Sequence, residues 1–428
     1  MSRAGRRRAT RDLQCARWSR PARAQGSRFR SELADGACGR RHRRPRRPGL
    51  QSARRWRSRR PSLGRKAAGR VRLVAETKPF RAVRYDERRA GPLESLVAPP
   101  YDVLSSADRH RYLASSPYNV VHLTLPDDEA EAAGYWNEWQ EEGVLVREDE
   151  PASWWLAQDY VGPDGLSRTR EGLVVSLRAE PYQTGAVLPH ERTHSGPKEG
   201  RLRLLRALRA HVEPIFLLYD GQLSGPEGKP FLEVELDGVR NRLWRAAEEP
   251  PAELARARFL IADGHHRYET ALAFHAEDGS EESAWLLAVV VPTEQEGLTI
   301  FPTHRIVQGL DSPHAEPAAS VEVALASLPS DRAGAVLYRV GEAAIVEGEQ
   351  EELDAALVER LRPHGVSYTP RAEEAIAAVD RGEAEAAFLL RAPTVEQVRA
   401  TAERGETLPQ KSTYFYPKLP SGLLFLPL

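Results

Sequence analysis

Residues 259–275 read FLIADGHHRYETALAFH and set a carboxylate, a glycine, two histidines and an arginine in consecutive positions, Asp263 to Arg267. An apolar run ends at Ala262, Asp263-Gly264 makes a turn, and Tyr268, Ala271, Leu272 and His275 recur at helical spacing. The first amides of such a helix have no intrahelical acceptor, and its dipole is positive there. Gly264 lets a ligand approach the backbone closely, and His265, His266 and Arg267 add donors at the same place. The pattern predicts an anion site, most naturally for phosphate. Asp263 could hold Mg²⁺ or take a proton from a substrate hydroxyl. The plainer alternative is that Asp263 caps the helix and the histidines are solvated.

A second segment, PHERTHSGPK (189–198), contains the H-E-x-x-H pattern of zinc proteases in His190, Glu191 and His194. That chemistry needs both histidines on one helical face. Pro189 and Gly196-Pro197 leave little more than one turn, and no third ligand follows on a helix. The segment is expected to be a loop that presents His190, Glu191, Thr193 and Lys198 to a pocket, or else an ordinary surface loop. In QKSTYFYPK (410–418), Lys411 is expected to contact a phosphate or carboxylate. The alternatives are a basic-aromatic stripe for single-stranded nucleic acid and an extended strand with core aromatics. APPYD (98–102) is a rigid loop that offers Tyr101 and Asp102 as substrate contacts, with Asp102 equally able to be a turn former. Thr303-His304-Arg305 after a strand is a lesser candidate.

The elements that must position these groups mix two kinds of unit. SWWLAQDYV and SRTREGLVVSLRA flank Pro163-Asp164-Gly165, and KPFLEVEL and VRNRLWRA flank Asp237-Gly238, so two hairpins are expected. SPYNVVHLTLP, SAWLLAVVVP and LTIFPTHRIV read as strands, Ser106 can cap a helix over ADRHRYLASS, and EAEAAGYWNEWQEEG reads as a helix with Trp136 and Trp139 in the core. The fold class expected is α+β, a mixed sheet with hairpins and strand-helix units. A main domain is expected over residues 75–312 and a smaller α/β region over 313–428 that closes on it.

Charge divides the chain differently. Residues 1–75 carry about +22, with 24 Arg and one Lys against Asp12, Glu32 and Asp35, and the remainder about −22. So acidic a body should repel a phosphate backbone, which argues against nucleic acid as a partner. Both cysteines, Cys15 and Cys38, lie in the basic segment, so the body has no disulfide framework or thiolate metal site. No apolar run approaches the ~20 residues that span a bilayer, and the N-terminus lacks a signal-peptide core. A cytoplasmic location without a membrane partner is expected. Residues 1–74 read as a disordered basic arm, a transit peptide or a mis-annotated extension. Met1 is the sole methionine, and the first plausible strand begins near Val74, which favours the last.

KPFRAVRYD, VAPPYDVLS, SPYNVV, LPHERTHSGPKEGRL, IADGHHRYETAL, FPTHRIV and LPQKSTYFYPKL, in order across residues 78–419, resemble an uncharacterised prokaryotic "domain of unknown function" family, numbered 1015. That family's loop motif does not require a histidine at position 194, which weighs against zinc. The strand–DGHxR–helix element is also similar, over about a dozen residues, to the box of free-serine kinases built on the ParB/sulfiredoxin-type fold. This resemblance implies a ParB/sulfiredoxin-like core with large insertions. It further implies that Gly264, His265, His266 and Arg267 contact the phosphates of ATP or ADP, with Asp263 as base or metal-linked carboxylate. The function expected is a nucleotide- and Mg²⁺-dependent phosphotransferase on the hydroxyl of a small amino or hydroxy acid, with Asp263, Glu191 and His266 as catalytic candidates and Lys198 or Lys411 on the acceptor's carboxylate. The alternatives are a non-catalytic nucleotide switch of ParB type and a metal hydrolase using His190, His194, His265 or His266.

Overall fold

Asp237 and Gly238 both take positive φ, 49° and 77°, as a two-residue turn between twisted strands requires. They join Leu232–Leu236 to Val239–Arg245 in register, and Trp154–Val161 pairs with Ser167–Arg178 in the second expected hairpin. The computed structural model describes residues 75–428 apart from 163–164, 192–194, 247–248 and 312. The expectations for residues 1–74, for Thr193 and for His194 lie outside the described residues.

The hairpins share a nine-stranded mixed sheet. From one edge its strands run Val187–Leu188, Phe259–Asp263, Ile215–Tyr219, Trp285–Pro292, Ser167–Arg178, Trp154–Val161, Val239–Arg245 and Leu232–Leu236, with Thr77–Lys78 added to Ser167–Arg178. Two pairs are parallel, 187–188 with 259–260 and 285–292 with 215–219, and the rest are antiparallel. Alternate residues feed two cores. Leu156, Phe216, Leu260 and Val289 pack on one face with Trp136, Trp139 and Phe425; Ala157, Leu217, Ile261 and Val290 pack on the other with Tyr268 and Ala271. Burial on both faces explains why WLLAVVVP is uniformly apolar, with no polar alternation.

A second, six-stranded antiparallel sheet has the order 316–318, 342–347, 334–339, 386–389, 304–307, 367–369. It begins inside what the sequence presents as one strand. Pro302 has no N–H to give a ladder, and LTIFPTHRIV divides there. Thr299–Phe301 pairs with Tyr414–Tyr416, whereas His304–Val307 enters the second sheet. After that sheet the chain returns to the first core through Val398, Ala402, Leu408, Phe415 and Leu423–Leu426.

SPYNVVHLTLP is not a strand. Asn119 is fully buried, donates to Ser95 O (2.8 Å) and Val97 O (3.3 Å), and accepts the Val121 N–H at 2.9 Å. Those bonds fold Val121–Thr124 into a short helix, an instance of a side-chain-to-backbone bond overriding β propensity. The helix Ser106–Ser115 is capped by Ser105, one residue earlier than expected, in a box with Asp108. No described helix is long and apolar enough to cross a membrane.

Candidate functional site

Strand register slips between Ile261 and Asp263, and such an irregularity re-aims a side chain at a strand end. Gly264 follows in the left-handed region (φ 91°, ψ 27°) and starts the helix His265–Asp278 without a side-chain cap. Asp263 is therefore not the cap. A Cβ on Gly264 would stand 2.9 Å from Ile215 Cγ2. Gly264→Ala should cost roughly 1–3 kcal/mol through φ strain and that clash. A urea-unfolding midpoint equal to wild type would show that the turn tolerates a side chain.

The Asp263 side chain is 18% exposed and lies between two cations. Arg267 Nη2 donates to Oδ2 at 3.3 Å, and Lys418 Nζ is 3.5 Å from the same oxygen. Burial opposes ionisation of this carboxyl, but Lys418 and Arg267 outweigh it and hold its pKa well below the usual carboxylate range. Arg267 also donates to Pro214 O, and although burial works against its charge, Asp263 and Glu213 keep it firmly protonated.

His190 is buried, with Nδ1 2.6 Å from Ile261 O and Nε2 3.0 Å from Thr413 Oγ1. A carbonyl only accepts, so Nδ1 carries the proton and Nε2 accepts from the threonine hydroxyl. Burial pushes the His190 pKa down to about 4. His265 Nε2 accepts the His190 N–H at 3.3 Å, and the two rings meet edge to face at 4.6 Å. Burial, with His190 beside it, drives the His265 pKa well down too. Both rings are thus neutral at pH 7, and His265 could meet a phosphate only as a neutral Nδ1–H donor. Cationic charge at the turn comes from Arg267, Lys418 and Lys411.

Glu191 bridges to Leu408, and its Oε1 accepts the Lys411 N–H at 3.4 Å. Burial raises its carboxyl pKa, and the nearby negative charge of Asp263 adds to the rise. His190 and Glu191 are extended, not helical; the helix that follows begins at Ser195, so the helical zinc-protease geometry is absent at these two residues. Among the described residues no cluster of three or more His, Cys, Asp or Glu is placed to hold a metal ion.

The other candidates divide. His266 is the second residue of the site helix, and its carbonyl accepts the Thr270 hydroxyl at 2.7 Å. Tyr101 and Asp102 lie near enough for their charges to act on Arg267. The Tyr101 N–H binds Glu213 Oε1 at 2.9 Å, its ring lies under Arg201 at 4.2 Å, and burial raises its pKa to about 12. Lys411 takes a positive φ of 56° and acts on both Asp263 and Glu191. Lys198 does not join them, because its ammonium is engaged with Glu269 Oε2 at 2.6 Å.

Lys418, Thr413, Glu213 and Arg170 are additions that the sequence reading left out. Lys418 and Thr413 sit in the motif that supplied Lys411, and the missing signal was the pairing of 408–411 with 190–191. Arg170 is fully buried, spans from Gln158 Oε1 to the face of Phe216 (4.5 Å), and its Nη1 has no partner among the described residues. Burial lowers its pKa to about 9. The cavity touching Arg267 is about 40 Å³ and is shared with Arg201, Glu213 and Thr270.

With this geometry in view, the sequence profile of the family described as "Protein of unknown function (DUF1015)" matches residues 77–380. The chain belongs to the DUF1015 family. The DGHHR turn and the 189–198 loop fall inside the matched DUF1015 residues, whereas LPQKSTYFYPKL lies beyond them. No curated protein matches the chain. Solved structures similar to this DUF1015 chain include a free serine kinase in complex with AMP, 18% identical, covering 56% of this chain and 89% of that one with a TM-score of 0.36. A conserved hypothetical protein from Pyrococcus furiosus is 18% identical over 55% of this chain and 90% of its own, TM-score 0.34. SbnI from Staphylococcus aureus, truncated at its C-terminus, is 11% identical over 55% and 81%, TM-score 0.35. Likenesses this distant assign no activity to this chain.

Proposed function

We propose that the protein is a nucleotide-dependent phosphotransferase acting on the hydroxyl of a small amino or hydroxy acid. The observation that carries this reading is the pair of neighbouring carboxyls whose environments push them apart: Asp263 is held ionised between Lys418 and Arg267, and Glu191 is pushed toward protonation. Opposite shifts on adjacent carboxyls divide acid–base roles between them. Asp263, with its lowered pKa, is a weak base and suits a fixed electrostatic part. Glu191 becomes the base. It takes the acceptor's hydroxyl proton as the oxygen bonds to the transferred phosphorus and the bond from that phosphorus to the departing nucleotide, one phosphate shorter than the donor, breaks.

Arg267, Lys418 and the amides at Gly264–His266 would hold the donor phosphates, with His265 and His266 as further donors. Both cations contact the Oδ2 oxygen of Asp263. Mg²⁺ would be bound through Asp263 and the donor phosphates, since magnesium commonly uses one or two carboxylates with substrate phosphates, and it would neutralise charge on them.

Melting temperature with and without ATP, ADP or CTP plus Mg²⁺ tests the phosphate site. A nucleotide at ~100 times its Kd adds about 2.7 kcal/mol. The shift should appear in wild type and vanish in Arg267→Ala, each compared with its own ligand-free state. No shift with any nucleotide would remove the phosphotransferase reading.

A further inference from the structure

A cavity of about 600 Å³ lies between the second sheet and the helix Val395–Glu403. Thr303 and Arg305 lie on its wall, and so does Ser412, next to the Thr413 that binds His190. The cavity lining carries four arginines and four carboxylates. Most cancel locally: Arg332 pairs with Asp331, Arg391 with Asp354, Glu352 with Arg360 and Arg404 with Glu406. Arg305 and Glu351 are left outside these pairs. Arg305 is 4% exposed, yet it forms no ion pair among the described residues.

Its Nη1 donates to Thr303 O and its guanidinium lies 5.4 Å from the Tyr368 ring centre, but Nε and Nη2 have no protein acceptor among the described residues. The Thr303 hydroxyl beside it is buried and equally without a partner. Burial lowers the Arg305 pKa to about 10, so the group is charged at neutral pH. A desolvated guanidinium with no carboxylate is costly, and a planar carboxylate would satisfy its remaining fork. Arg305 offers a single guanidinium fork, which one carboxylate fills.

We infer that this cavity binds a small monocarboxylic acid, an amino or hydroxy acid, with its carboxylate on Arg305 and the Thr303 hydroxyl. The site does not depend on phosphate binding at the DGHHR turn. Arg305 also lies close enough to Glu191 for their charges to interact, so the two sites adjoin.

The test uses the full chain and a panel of L-amino acids and 2-hydroxy acids at millimolar concentration, with inorganic phosphate as control. At least one acid should raise the melting temperature of wild type and of Arg267→Ala, and none that of Arg305→Met. Arg305→Lys keeps the charge but loses the fork, and should weaken the apparent Kd by about tenfold. It also serves if the methionine variant does not fold. Without ligand, Arg305→Met should melt no lower than wild type, because a buried cation that serves a ligand costs the empty protein stability. The inference is overturned if no acid shifts wild type, if phosphate alone does, or if the shift survives loss of the guanidinium. A shift kept in Arg267→Ala while nucleotides fail would sink the phosphate reading and leave this one standing.

Discussion

Replacing Asp263 with alanine is expected to destabilise the protein by about 3–5 kcal/mol, since removing one partner of a buried charge pair strands the other. Here two cations are stranded, Arg267 at 10% side-chain exposure and Lys418 at 14%. Asp263→Asn keeps an acceptor for both and should cost less. The pH dependence has a definite sign. The folded pKa lies below the ordinary value of 3.8, so the folded state holds the proton less tightly than the unfolded chain. The stabilisation is then complete above the unfolded pKa and is lost as pH falls below it toward the folded value. The gap in unfolding free energy between wild type and Asp263→Asn should be constant from neutral pH to about pH 5 and narrow below about pH 4. Urea unfolding across that range measures it. A gap that narrows already between pH 7 and pH 5 would mean that Asp263 is not the carboxylate held down by these cations.

The strand–turn–helix at 259–278 was legible because its signals are local: an apolar run, an Asp-Gly turn and a 3.6-residue period. The hairpins were legible for the same reason, since Asp237-Gly238 sets its own turn geometry. What was hidden was long-range. Lys418 reaches Asp263 from 155 positions away because the tail lies along His190 and Glu191, and nothing in either segment announces the other. The pairing of Lys198 was hidden for the same reason. Its partner Glu269 lies one helical turn beyond the turn it was expected to serve, on a neighbouring helix face. Within SPYNVV, the decisive residue was Asn119, whose amide competes with any ladder only because Ser95 and Val97 are folded against it. Arg305 stood in a lesser motif, and its burial without an ion pair among the described residues gives it weight. Charge and motif therefore pointed to a candidate turn, but tertiary pairing decides which charges remain available to a ligand.

Glu191→Gln is expected to lower turnover by about 10²–10⁴-fold, the usual contribution of a general base, while leaving nucleotide-induced stabilisation intact. The substitution preserves shape and the acceptor for the Lys411 N–H, so the 408–411 pairing should survive. It should also affect stability in the opposite sense to a change at Asp263. The Glu191 pKa is raised in the fold, so the folded protein binds that proton more tightly than the unfolded chain does. Above the folded pKa the ionised carboxyl is a cost, and a neutral amide removes it. The variant should therefore be as stable as wild type or more so at neutral pH, an advantage that shrinks as pH falls below the raised folded pKa and is gone below the unfolded value of 4.5. Turnover of wild type should rise with pH across a limb set above the ordinary glutamate range. A catalytic residue that is strained in this way trades stability for activity. Steady-state rates with urea midpoints on the same two proteins read both effects together. If Glu191→Gln lost stability while keeping its rate, Glu191 would be a structural tether for the tail, and Asp263 would have to serve as the base despite its depressed pKa.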